Sequence, residues 1–189
     1  MSTSLDAIYP FAESQGGHFT ASQAHDVRVS DQQLHYLYKS GSIQRMAHGI
    51  YRLQRFPSHP FEDVIVATLW AGDEAVASHD TALVIYRLTD AMPPVIHLTL
   101  PRAFRGKRKG VVVHTAPLRD DERTRRESVP VTSPARTIRD IAARYGAEEA
   151  VEAAVRAVET GVITRARLSK ELEADADMLP LLELLSRRW

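Results

Sequence analysis

Residues 19–53, FTASQAHDVRVSDQQLHYLYKSGSIQRMAHGIYRL, carry helix-start, helix-stop and turn signals at a spacing that decides the fold of the N-terminal quarter. Thr20 is followed three residues later by Gln23, and Ser30 by Gln33. A hydroxyl at the N-cap and a glutamine at the third helical position satisfy two otherwise unpaired backbone N–H groups reciprocally, so each pair predicts a helix start. The first helix is short, running through Ala24, and DVRV makes a brief turn. The second predicted helix, Asp31 to Ser40, turns Leu34, Leu37 and Tyr38 to one side and stops at Gly41. IQRM and IYRL, on either side of Ala47, His48 and Gly49, are β-prone runs at the separation of a tight hairpin. Upstream, Leu5, Ile8, Phe11 and Ala12 keep helical spacing until Gly16 and Gly17. Three helices followed by a hairpin make a winged helix-turn-helix.

In such a motif the second helix of the pair enters the major groove, with its N-terminal residues nearest the base edges. Ser30, Gln32, His35, Tyr36 and Lys39 are therefore candidates to address the groove, and Arg45, His48 and Arg52 of the wing are candidates to hold phosphate. Charge placement supports this. The 189 residues carry 24 Lys and Arg against 24 Asp and Glu, so the total is uninformative and any argument about a charged partner comes from where the charges lie. From Gln32 to Pro57 there are four cations, Lys39, Arg45, Arg52 and Arg55, and no acid. A second run, Pro101 to Gly110, holds Arg102, Arg105, Lys107, Arg108 and Lys109 with no acid, and is a candidate second anion-binding loop.

The two prolines of FPSHP mark a linker after Arg55, so the chain reads as a winged-helix domain over residues 1–56 and a second domain over 60–189. In the second domain, Phe61, Val64, Ile65, Thr68 and Leu69 trace a helix, and Ser78 is placed to cap another through Tyr86. VIHLTL (95–100), VVVHTA (111–116) and VPVT (129–132) read as strands. Ser133 and Pro134 stand as N-cap and first residue of a helix with an Ile138, Ile141, Ala142, Tyr145 stripe, followed by an Ala- and Val-rich helix to Gly161 and a further helix from Thr164. Leu179, Leu181, Leu182, Leu184 and Leu185 make the terminal segment too apolar to stand alone in water, so it must dock on its own domain or on another chain. The fold class is α+β: a winged helix-turn-helix followed by a mixed α/β domain with a helical tail.

Composition narrows the function. Hydrophobic residues at 44% and charged residues at 25% are those of a folded globular chain. No apolar run approaches the roughly 20 residues of a membrane helix, and the N-terminus lacks a basic region before an apolar stretch. The absence of cysteine excludes disulfides and thiol chemistry and is compatible with a cytoplasmic protein. His97 and His114 sit where two adjacent strands would let them face each other, but two imidazoles do not make a structural zinc site. His79 and Asp80 are sequence neighbours whose side chains need not share a site. Neither a nucleophile elbow nor a phosphate-binding glycine loop is present, so neither catalytic nor metal-binding residues nor a cofactor are expected.

The segment from Phe19 to Leu53, with AVASHDTAL (75–83), IHLTLPR (96–102) and VPVTSPARTIRD (129–140) in that order, resembles the AbiEi family of type IV toxin–antitoxin antitoxins. The resemblance runs from about Leu5 to Ala142. It implies a transcriptional regulator whose winged helix binds double-stranded DNA repeats in its own promoter. It also implies a C-terminal domain that counteracts a cognate nucleotidyltransferase toxin. A protein-interaction module, or a transcriptional regulator without antitoxin activity, is the alternative. An enzyme is the least favoured, and the tail lacks the separated carboxylate and lysine pattern embedded in strands that a nuclease would need.

Overall fold

A computed structural model describes residues 4–189. By their internal contacts the described residues form two compact units, the first comprising residues 4–75 with 127–129 and the second 76–126 with 130–189. The sequence reading places the boundary at residues 57–59. The fold instead groups the helix Glu62–Ala71 with the winged helix, because that helix supplies an acid and an apolar face that the winged helix uses.

The first unit runs α1 (Ser4–Ser14), β1 (His18–Thr20), α2 (Ala21–Asp26), α3 (Asp31–Lys39), β2 (Ile43–Ala47), β3 (Ile50–Leu53) and α4 (Glu62–Ala71). The three strands form an antiparallel sheet in the order β1-β3-β2. Both capping boxes are formed: Thr20 accepts from the Gln23 N–H and Ser30 from the Gln33 N–H, and each glutamine side chain returns to its cap backbone. Ile8, Phe19, Ala24, Val29, Leu34 and Ile43 are fully or almost fully buried in one core. Strand β1 is too short to have announced itself in the sequence; it exists because Phe19 can enter that core while its backbone pairs with Tyr51. Tyr38, read as inward-facing, is 46% exposed, since Leu34 and Leu37 already fill the buried side of α3.

Gly17 is where the turn from α1 into β1 has no room for a side chain. Its φ is +87°, and a Cβ there would lie 2.5 Å from the Phe56 ring. Its carbonyl accepts from the Leu53 N–H at 2.9 Å, so the backbone cannot simply retreat. Gly17→Ala is expected to destabilise this unit by about 1–3 kcal/mol, read as a lower denaturation midpoint. An unchanged midpoint would show that Phe56 yields without cost.

The second unit contains β4 (Val76–Ala77), α5 (His79–Tyr86), β5 (Ile96–Leu100), β6 (Val111–Thr115), a 3₁₀ turn at Asp120–Glu122, β7 (Arg123–Arg126), β8 (Val129–Thr132), α6 (Pro134–Tyr145), α7 (Ala147–Glu159), α8 (Arg165–Glu173) and α9 (Leu179–Ser186). The sheet order is β6-β5-β4-β8-β7, with β5 parallel to β6, β4 antiparallel to β5, and β4 parallel to β8. Helix α5 packs on β5 and on α6, α6 on α7, and α9 on α7 and α8. Leu181 and Leu185, each 1% exposed, find their cover within their own unit, Leu182 and Leu184 are partly buried, and Leu179 is 59% exposed. No helix among the described residues is long and apolar enough to cross a membrane.

Candidate nucleic-acid interface

The polar face of α3 is built by elimination. Burying Leu34 and Leu37 against α1 and the sheet leaves Ser30, Gln32, His35, Tyr36 and Lys39 exposed, with Tyr36 at 71%. The N-terminus of α3 is fixed by its capping box and by His25 Nε2 at 2.9 Å from Asp31 Oδ1, which ties the two helices of the motif together. Asp31 is itself exposed at that end, so the α3 face is not uniformly cationic. The turn between the helices is tightened by Arg28, which adopts a left-handed backbone (φ 63°) with its N–H on the His25 carbonyl at 2.8 Å. Its exposed side chain adds a cation beside α3 that the sequence reading passed over. The signal was present as the single basic residue between the two capping boxes.

The wing is compact. Ala47 pairs with Ile50, leaving His48 and Gly49 as a two-residue tip, and Met46 is the extra residue of a bulge between Arg45 and Ala47. Gly49 takes a φ of +69°. The Arg45 guanidinium lies 3.1 Å from His48 Nδ1, and its Nε donates to the Ala47 carbonyl at 3.4 Å, so arginine and histidine are held together at the exposed tip. With Nδ1 accepting from Arg45, the His48 Nε2–H is the donor turned to solvent.

Arg52 departs from the expected set. Its side chain is 15% exposed, and it sits 3.3 Å from Glu62 Oε1 while donating to the Phe56 carbonyl at 2.8 Å. Glu62 also lies 3.4 Å from the buried His18 Nε2. Burial lowers the His18 pKa although Glu62 pulls the other way. Arg52 therefore joins β3 to α4 and its charge is spent inside the unit. The pairing was not legible because Glu62 is ten residues away, past two prolines.

In the second unit the segment between β5 and β6 has no regular structure, and Arg102, Arg105, Lys107 and Lys109 are exposed while Arg108 is half-buried. Beside it, His97 and His114 do face each other across β5 and β6, with His97 Nδ1 and His114 Nε2 2.9 Å apart. His79 stacks on His114 with ring centroids 3.9 Å apart. Asp80 Oδ2 lies 3.6 Å from His97 Nε2 and accepts from the Tyr145 hydroxyl at 2.9 Å. His79 and Asp80 thus share one cluster, which their adjacency in sequence did not require; His79 takes a left-handed backbone (φ 51°) at the start of α5. His97 thus has one nitrogen within hydrogen-bonding distance of His114 and the other facing the more distant Asp80. Among the described residues no group of three or more histidine, aspartate or glutamate side chains is arranged to hold a metal ion.

Residues 6–54 match the family model described as transcriptional regulator, AbiEi antitoxin. No curated protein matches the chain. The matched span begins within α1 and ends just past β3, covering both capping boxes, the α3 face and the wing. Over those residues the chain is similar to AbiEi antitoxin transcriptional regulators.

Proposed function

We propose that the protein is a DNA-binding antitoxin of a type IV system that represses its own operon through the winged helix. In this reading the second unit counteracts a cognate nucleotidyltransferase toxin. The observation that carries it is the coincidence of the family match with an α3 face and wing tip whose polar side chains are exposed while their apolar neighbours are buried. Gln32, His35 and Tyr36 would meet base edges, Ser30 and Lys39 the flanking backbone, and Arg45 with His48 the phosphates beside the wing. Arg52 is left out of that set because Glu62 holds it. The basic loop, Arg102 to Lys109, is a second surface for the phosphate backbone.

A binding titration on the native promoter tests this. Lys39→Ala with Arg45→Ala is expected to weaken binding roughly tenfold or more and to flatten the dependence of log affinity on log salt by about two, one for each cation withdrawn from a phosphate. Affinity and salt slope equal to those of the unaltered protein would refute the assignment. The same double variant, co-expressed with the adjacent toxin, is expected to neutralise it as well as the parent does. Loss of neutralisation would mean that the winged helix itself carries the antitoxic activity.

A further inference from the structure

A cleft of about 500 Å³ opens in the second unit between β7, the start of α6 and the turn that leads into α8. Its lining holds four arginines, Arg123, Arg125 and Arg126 from β7 and Arg167 from α8, against two carboxylates, Asp121 and Glu171. Both acids are already engaged: Asp121 takes the Arg119 Nε at 3.0 Å, and Glu171 the Arg167 Nε at 2.7 Å. By the residues that line it the cleft is cationic, with four arginines to two acids. Arg126 lies with its guanidinium carbon 5.3 Å from the centre of the Tyr86 ring, and its Nε is buried with no hydrogen-bond partner among the described residues. Tyr86 is in turn pinned by a 2.8 Å hydrogen bond to the Thr132 carbonyl, so the platform beneath Arg126 is rigid. Arg125 is exposed, and its partial burial lowers its pKa.

Two helix starts add to this field. Ser133 and Pro134, which open α6, and Thr164, which caps α8, all line the same cleft. The positive ends of the two helices therefore act on one place, where an anion is favoured. Planar guanidinium groups match phosphate oxygens two at a time, which a surface lysine cannot do. The recess has the size of a small-ligand site and is no extended groove.

We propose that this cleft binds the phosphate chain of a small oligophosphate ligand, with Arg126 as its anchor and Arg125 and Arg167 closing on the outer phosphates. The site is separate from the winged helix and does not depend on the DNA-binding reading. Inorganic triphosphate and nucleoside triphosphates offer the same chemistry, and titration of the full-length protein separates them. Calorimetry with inorganic triphosphate, ATP, GTP and adenosine is expected to give one saturable site for the three phosphate-bearing probes and none for adenosine. Tighter binding of ATP or GTP than of triphosphate would identify a nucleotide as the ligand. Equal affinities would leave the bare chain as what is recognised.

Arg126→Ala is expected to weaken binding at least tenfold. Arg125→Gln, at a more exposed position that leaves the Tyr86 platform intact, is expected to weaken it severalfold, and keeps the test valid should the first variant fail to fold. Lys170→Ala, at an exposed cation of α8 outside the lining, is expected to leave it unchanged. Binding kept in both arginine variants would overturn the proposal. So would equal binding of adenosine, or binding of single-stranded oligonucleotides with none of free triphosphate.

Discussion

Replacing Glu122 by alanine is expected to destabilise the second unit by about 3–5 kcal/mol, the usual cost of removing one partner from a buried ion pair. The Glu122 side chain is 4% exposed and is the hub of a network. Its Oε2 accepts from Arg136 Nη1 at 3.0 Å and from the Arg119 backbone N–H at 2.9 Å, while Oε1 accepts from Arg139 Nη2 at 2.7 Å. Arg136 is almost as buried and also reaches Asp140 Oδ1 at 2.8 Å and the Pro117 carbonyl at 2.9 Å. Without Glu122, two arginines lose their shared carboxylate, and Asp140, with the more distant Asp175 beside Arg139, is left to balance them. Asp140 is a poor substitute, because burial raises its pKa in spite of Arg136. Glu122→Gln keeps the volume and one acceptor and is expected to cost less than the alanine variant. Glu122→Leu combined with Arg136→Met is expected to recover part of the loss, since a matched apolar pair removes both desolvated charges. Chemical denaturation of the variants checks this. An alanine variant within about 1 kcal/mol of the parent would show that the network contributes little.

How much of this was legible in the sequence depended on how local the cause was. The winged helix could be read because its signals act across three residues: Thr20 with Gln23, Ser30 with Gln33, and the His48-Gly49 tip. The helix at Pro134 was equally plain, with Ser133 accepting from the Arg136 N–H as the cap pattern predicts. By contrast β7, Arg123–Arg126, shows no alternation of apolar residues. It is a strand because it pairs with β8 across Glu127 and Ser128, which both take positive φ without being glycine or asparagine. No turn chemistry announced that hairpin. Ser78 was correctly placed at a helix start, yet its hydroxyl makes no cap hydrogen bond; it accepts from Thr99 at 2.7 Å and contacts His79 instead. The face of α3 was legible because it is what packing leaves over, whereas the capture of Arg52 by Glu62 required knowing which helix folds back. The arginine cleft needed β7, α6 and α8 brought together, which no periodicity encodes.

Acidification from pH 7 toward pH 4 is expected to destabilise the second unit steeply through its three stacked histidines. Burial is the first cause in each: it holds His79 down to about 3 and His114 to about 4, and lowers His97 from 6.5. The neighbouring imidazoles and the Arg144 guanidinium act in the same direction on His79 and His114, Arg144 does so on His97, and Asp80 opposes the shift at both His97 and His114. Because the folded values lie below the unfolded value near 6.5, the unfolded chain takes up protons first as the pH falls. The stability these groups contribute is therefore complete above about pH 6.5 and drains away toward pH 4 to 3, with unfolding taking up as many as three protons in the steepest part. Asp140 works in the opposite sense, since a carboxyl with a raised pKa protonates first in the folded state, but it offsets at most one of those protons. Denaturation midpoints measured at pH 7, 5.5 and 4.5 should fall progressively. His114→Gln, which removes the ring that contacts both other histidines, should flatten the fall even if it lowers the starting stability. A parent protein equally stable at pH 7 and 4.5 would mean that the imidazoles open to water and titrate as they do in the unfolded chain.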